Sequence, residues 1–186
     1  MSKKIYLFSL VLLTLAFTAC SETEEAGRYD NWRARSEAFI DSIANEFNSA
    51  ANKALPDNDP KKLHAIEDEV TKQTIYVKKI ENGDGAVPQY TYTIKAHYRM
   101  RYFNGDLVQQ TFTGEEPTKF DSPAEFTLNG VISGWSYTLM HMKVGDFWTL
   151  YIPYQSGYGS DTGPQENLQP YSALIYDVRL EEIVEP

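Results

Sequence analysis

From about Gln73 onward the chain is written in short β-rich runs: TIYVKKI, TYTIKAHYRMRYF, LVQQTFT, AEFTL, FWTLYIP and ALIYDVRLEEI. Their Val, Ile, Thr, Tyr and Phe side chains suit a pleated, half-buried surface. Between them stand the turn formers GDG, NG, GEEP and GSDTGP, residues that reverse a chain through φ > 0 or a preset φ. Only one stretch, Ser136 to Lys143, reads as helix. Many short strands with one short helix restrict residues 73–186 to an α+β architecture, an antiparallel sheet wrapped round a helix and about one domain long.

Ahead of this domain, residues 31–72 read as a helical extension. Trp32, Phe39, Ile40, Ile43 and Phe47 recur at helical spacing, with Asp41, Asn45 and Glu46 on the other side, which predicts an amphipathic helix over about 31–53 that stops before Pro56. A single helix with an aromatic stripe must bury it. Two occupants remain open: the chain's own domain, which is the nearest surface, or a second copy or partner, making 31–53 a dimer helix.

The amino terminus carries Lys3 and Lys4, an apolar stretch from Ile5 to Phe17 and then Thr18-Ala19-Cys20. The apolar stretch is too short to serve as a permanent span. Residues 1–19 resemble a bacterial lipoprotein signal, which implies a lipid on Cys20, attachment to the membrane through that lipid and an outer-membrane location in a Gram-negative cell. Phe17 stands where a smaller aliphatic residue is commoner. Cys20 is the sole cysteine, so its lipidation leaves no thiol for a disulfide, a metal or a nucleophile. Residues 20–30 begin with the acidic Ser21-Glu22-Thr23-Glu24-Glu25 and read as a solvated tether; beside a lipidated cysteine such a tract resembles a signal for exposure on the cell surface. Loss of Lys3 and Lys4 on cleavage would move the formal charge from −9 to −11. A chain this acidic has no electrostatic route to nucleic acid.

Within the domain, NGVISGW at 129–135 places Val131 and Ile132 between glycines and ends on Trp135. The run reads as a turn into the short helix, with Trp135 on its first turn. Trp135 then either fills the core or floors a concave apolar site rimmed by the backbone of Val131 and Ile132. Gly130 and Gly134 can take backbone angles barred to other residues and allow a ligand to approach closely.

Six motifs in order carry a resemblance: AHY at 96–98, NG at 104–105, GVISGW at 130–135, LMHMKVGD at 139–146, YIPYQSGYG at 151–159 and LQPYSALIYDVRLEEI at 168–183. From Tyr76 to Val184 the chain resembles the FK506-binding-protein-type peptidyl-prolyl isomerases (FKBPs). The resemblance implies a curved antiparallel sheet with a short helix across its concave face and a ligand pocket between them. It implies Trp135 as the floor, the backbone N–H of Ile132 facing a peptide carbonyl, and Tyr158 donating its hydroxyl to a substrate carbonyl, with Tyr98 the fourth residue of the catalytic set. Phe126, Val131, Leu168 and Tyr176 would furnish substrate-binding walls. Without the resemblance, Tyr98 and Tyr176 read as ordinary core.

The implied partners are proline-containing peptide segments or unfolded proteins, with macrolide-type ligands as further candidates. No cofactor is implied, because the reaction twists an amide and needs neither nucleophile nor redox group. His64, His97 and His141 lie on different segments without ligand spacing, so no metal site is expected. One departure stands out: where the family has a Phe-Asp pair after the NG turn, this chain has Val108 and Gln109 as its substrate-binding residues. A literal Phe120-Asp121 follows GEEP, too close to Trp135, and reads as coincidence. Three function classes follow: an active isomerase assisting the folding of exported proteins, a weakly active binding module or chaperone favoured by Val108-Gln109, and a structural component of a surface lipoprotein complex.

Overall fold

The computed structural model describes residues 27–163 and 168–185. The signal segment 1–19, Cys20, the acidic tract and Glu166 lie outside the described residues. Two compact units divide between Trp32 and Arg33. In the first, the described residues form tight turns in which Asp30 N–H donates to the Gly27 carbonyl and Trp32 N–H to the Tyr29 carbonyl. The rings of Tyr29 and Trp32 meet edge-on at 5.1 Å.

The second unit contains, among the described residues, seven strands in one sheet: β1 (Leu63–Glu67), β2 (Thr74–Glu81), β3 (Thr93–Tyr102), β4 (Leu107–Gln110), β5 (Ala124–Thr127), β6 (Phe147–Ile152) and β7 (Leu174–Glu185). Their order is β1-β2-β6-β7-β3-β4, with β5 also on β3, and every pairing is antiparallel. Register shifts in β2–β6, β3–β4 and β3–β7 insert bulges, which bend the strands and increase local twist. The expected α+β architecture, a curved antiparallel sheet round a short helix, is the one observed.

Strand alternation sorts the side chains onto two faces. Leu150 is opposite Tyr176 and Tyr176 opposite Met100, and all three are buried on the concave face, as are Ile152, Val178 and Tyr98. The short helix α3 (Ser133–Leu139) lies on this face. It begins three residues before the Ser136 expected from the sequence, and its C-cap, Met140, donates its N–H to the Ser136 carbonyl. Gly134 explains the close seating. A Cβ there would stand 2.6 Å from Ile152 Cγ2 and 2.9 Å from the Ser156 carbonyl oxygen, so the close approach expected of a ligand is made instead by the protein's own β6 and the turn after it. Gly130 has open space around it, and neither glycine adopts positive φ.

The opposite, convex face receives the helix α1 (Trp32–Asn48), which from Arg33 on belongs to this unit. Phe39, Ile40, Ile43, Ala44 and Phe47 pack against Leu63, Tyr76 and Tyr151, and Tyr76 is directly opposite Tyr151 in the sheet. The chain's own domain therefore takes the aromatic stripe. Polar contacts pin the helix further: Ser36 Oγ accepts from the Ala173 N–H at 2.6 Å, and Arg33 donates to the Tyr154 hydroxyl at 2.9 Å.

Two features of residues 31–72 differ from a continuous helix. The helix breaks at Ser49, whose side chain caps a second short helix, α2 (Ala50–Ala54), by accepting from Asn52 N–H. The buried Asn52 amide then exchanges a pair of bonds with Leu63, donating to its carbonyl at 3.1 Å and accepting from its N–H at 2.8 Å, and donates also to the Phe47 carbonyl at 3.0 Å. That pairing anchors β1, which the sequence reading assigned to the helical extension. Five residues with a single fully buried side chain carry too weak an alternation to announce a strand.

Candidate active site

Helix α3 and strands β3, β4, β5 and β7 enclose a cleft of about 540 Å³ lined by Tyr98, Gln109, Phe126, Gly130, Val131, Ile132, Trp135, Tyr158 and Tyr176. Such a volume falls within the range of small-ligand sites. Trp135 is 3% exposed and sits at the centre of an aromatic box. Its ring meets Tyr98 at 5.6 Å and 90°, Phe126 at 5.0 Å and 78°, and Tyr176 at 5.5 Å and 62°. Edge-to-face arrangements of this kind satisfy the ring quadrupoles, so the floor is held by its walls. Trp135 is thus core and cleft floor at once.

The rim is made by backbone. Ile132 is the N-cap of α3 with φ −57° and ψ 145°, and its carbonyl accepts from the N–H groups of Trp135 and Ser136. Its own N–H has no acceptor among the described residues, leaving a donor at the edge of an apolar cleft. Buried hydroxyls behind the rim are satisfied: Ser136 Oγ donates to the Leu128 carbonyl, and Thr138 Oγ1 to that of Gly134 at 2.7 Å.

Burial governs the electrostatics. It pushes the Tyr98 phenol up, and Tyr158 nearby adds to the shift. Burial likewise raises Tyr176 well above its ordinary value, again with Tyr158 contributing; the Tyr176 hydroxyl donates to Met100 Sδ at 2.7 Å. Both phenols stay neutral through the physiological range, so neither adds charge to the cleft. The indole Nε1 of Trp135 is buried without a hydrogen-bond partner among the described residues.

Of the residues singled out from the sequence, Tyr98, Gln109, Phe126, Val131, Ile132, Trp135, Tyr158 and Tyr176 come together in this cleft. Val108 and Leu168 are not among its lining. Gln109 is opposite Met100 on the concave side, and alternation sends the neighbouring Val108 the other way. Leu168 is buried beside Gly163, where an added Cβ would lie 3.6 Å from the Leu168 Cβ and 3.5 Å from Tyr158 Cδ1. Phe120 is 86% exposed, and Asp121 accepts from Thr118 N–H and Oγ1 in a local turn, lining a separate polar depression with His97 and Arg179. The Phe120-Asp121 pair is therefore remote from the cleft, and Gln109, not Asp121, contributes to its lining. Gly130, named from the sequence for the close approach of a ligand, is part of the lining, whereas Gly134 is not.

Comparison with known proteins places this cleft in context. The family model described as FKBP-type peptidyl-prolyl cis-trans isomerase matches residues 85–181. The FKBP-type 22 kDa peptidyl-prolyl cis-trans isomerase of Escherichia coli is 34% identical over 114 residues, 61% of this chain and 52% of that protein. The peptidyl-prolyl cis-trans isomerase Mip of Coxiella burnetii is 33% identical over 103 residues, 55% of this chain and 42% of that protein. The chain thus spans about half the length of the curated relatives it matches. A crystal structure of a peptidyl-prolyl cis-trans isomerase from Pseudomonas syringae superposes with a TM-score of 0.56 at 24% identity, covering 80% of this chain and 95% of that one, and supports the fold. With a family match over residues 85–181, which take in the whole rim and floor of the cleft, the chain belongs to the FKBP-type peptidyl-prolyl cis-trans isomerases.

Proposed function

We propose that this chain is a peptidyl-prolyl cis-trans isomerase that binds an X–Pro segment in the cleft floored by Trp135 and assists the folding of exported proteins. The observation that carries the reading is the Ile132 N–H, without an acceptor among the described residues, at the rim of an aromatic cleft lined by no charged residue type among them. Rotation about X–Pro faces a barrier of roughly 18–20 kcal/mol because resonance gives the C–N bond partial double-bond character. In the twisted state that resonance is lost and the amide is less polar, so a water-poor aromatic cavity favours it over the planar ground state. Ile132 N–H can hold a flanking carbonyl, Tyr158 can donate to a second, and Tyr98, Phe126 and Tyr176 pack the proline ring against the indole. No side chain needs to exchange a proton with the substrate.

Gln109 in the cleft supports a turnover below that of relatives with a carboxylate at this point, without removing the binding surface. The test is a proline-isomerisation assay on tetrapeptides that differ in the residue before proline, beside a titration with a macrolide ligand. Acceleration of the slow cis-to-trans phase by the full chain, abolished by the macrolide, supports the reading; absence of acceleration at micromolar protein overturns it.

The support for a location is the amino-terminal sequence alone. We place the mature protein on the outer membrane of a Gram-negative cell through a lipid on Cys20, facing either side. Replacing Cys20 with serine should leave an unprocessed or soluble product, and continued labelling of that variant by a fatty-acid probe would refute the anchor.

A further inference from the structure

Behind the cleft, the turn joining β1 to β2 delivers a buried carboxylate. Asp68 is 0% exposed. One of its oxygens, Oδ2, accepts from the Ser133 hydroxyl; the other, Oδ1, accepts from Val70 N–H at 2.9 Å and Thr71 N–H at 3.3 Å. Thr71 Oγ1 continues the chain of bonds to Ser156 Oγ at 2.7 Å, and Ser156 is also fully buried. A buried carboxylate is tolerated only when its lone pairs are satisfied, and bonds to an ionised acceptor are the stronger kind. Burial by itself pushes Asp68 up, but donation from Ser133, Ser156, Thr71 and Val70 together outweighs it and holds the group below the usual carboxylate range.

The two ends of this network, Ser133 and Ser156, each stand close in sequence to residues that line the cleft, Ile132 and Tyr158. Ser133 follows Ile132 directly and is the first residue of α3, whose N-cap has no side-chain hydrogen bond of its own. Ser156 precedes Tyr158 by two residues in the turn after β6. Between them Gly134 is packed within van der Waals reach of both Ile152 and the Ser156 carbonyl. Asp68 and Thr71 lie outside residues 85–181, the part matched by the family model.

We propose that Asp68 is a positioning residue for the isomerase site, holding the Ile132 N–H and the Tyr158 ring in mutual register through Ser133 on one side and Thr71–Ser156 on the other. The segment ahead of the matched domain is then part of the active-site frame. The inference rests on the isomerase reading for its consequence in turnover, and on geometry alone for its consequence at the rim.

The test uses the full chain with Asp68→Asn, Ser133→Ala and their combination, and Glu69→Gln, on an exposed side chain of the same turn, as the control. Asp68→Asn and Ser133→Ala should each lower kcat/KM, corrected for the folded fraction, by about tenfold. The double variant should be no worse than the poorer single, whereas the control should match the parent. Urea unfolding runs in parallel. Loss of stability with unchanged kcat/KM per folded molecule, or fully additive losses in the double variant, overturns the proposal. Amide NMR separates the two readings: if the parent shows no isomerase activity, the functional reading fails, and the positioning claim stands only if Asp68→Asn still shifts the Ile132 N–H and Trp135 indole resonances. Unchanged resonances refute it.

Discussion

Replacing Trp135 with phenylalanine separates the two jobs of that ring. The indole is 3% exposed and contacts three aromatic edges, so truncation to alanine should cost roughly 3–5 kcal/mol from lost burial and the cavity left behind. Phenylalanine is a different case. It keeps one six-membered ring for the same box and gives up part of the apolar area, a loss of about 1–2 kcal/mol at ~25 cal/mol per Å². Against this stands the buried Nε1–H, which has no partner among the described residues; removing an unsatisfied buried donor recovers about 1–3 kcal/mol. The two nearly cancel, and Trp135→Phe should unfold in urea within about 1 kcal/mol of the parent, the margin by which those terms differ. The floor of the cleft nevertheless recedes by the missing ring, and a proline packed on it loses contact with the surface that suits its twisted amide. The expected result is near-parental stability with kcat/KM down by about tenfold, equivalent to ~1.4 kcal/mol in the transition state. Urea titration and the coupled peptide assay, both well below the melting temperature, measure the pair. A destabilisation above about 3 kcal/mol, or full activity at parental stability, would refute the reasoning: the first would show that the indole N–H is satisfied, the second that Trp135 serves packing alone.

Gln109→Asp restores a carboxylate to the cleft and should raise kcat/KM by up to about tenfold, while Val108→Phe, on the other side of the strand, should leave it unchanged; the reverse pattern in the peptide assay would show that β4 has the opposite register. Gly134→Ala puts a methyl 2.6 Å from Ile152 Cγ2 and 2.9 Å from a carbonyl oxygen, so overpacking should cost about 1–3 kcal/mol by chemical denaturation and weaken macrolide binding by tilting α3. Tyr98 and Tyr176 have folded pKa values above the ordinary 10.0. Their contribution to stability is therefore complete below pH 10 and is lost as pH rises through their folded values, because only the unfolded chain releases the protons readily. Thermal melts should fall on that alkaline limb, and Tyr176→Phe should flatten it. Asp68 behaves in the opposite sense: its folded pKa is depressed, so its contribution is present above the ordinary 3.8 and fades as pH falls through the folded value, an acid limb that Asp68→Asn should remove.

The sequence determined the composition of the cleft further than its framework. The runs from Gln73 on carry β-propensity and turn formers at every boundary, so sheet class and the presence of one helix follow from local chemistry. Trp135 stands out at the end of NGVISGW, whereas Tyr98, Phe126, Tyr158 and Tyr176 were legible as cleft residues only through the family resemblance, without which Tyr98 and Tyr176 read as core. Counting from the NG turn under the family resemblance pointed to Val108 and Gln109 together, and only the pairing of Gln109 with Met100 decided which of them faces the cleft. What only the tertiary structure decided are the features that depend on segments distant along the chain. LHAIE becomes a strand by pairing antiparallel with β2, with Asn52 bonded to Leu63 at its start, and α1 gives way at Ser49, which caps the short helix that carries Asn52. Gly134 is needed for the approach of Ile152, eighteen residues on, and not for a backbone angle of its own. Asp68 stands in the run EDEVTK, where three acidic residues close together read as a solvated surface; its burial against Ser133 depends on where the β1–β2 turn meets α3, sixty-five residues later. Local pattern encodes which face of an element is apolar, but the partner that covers that face is set by packing across the whole chain, and no window of neighbouring residues contains it.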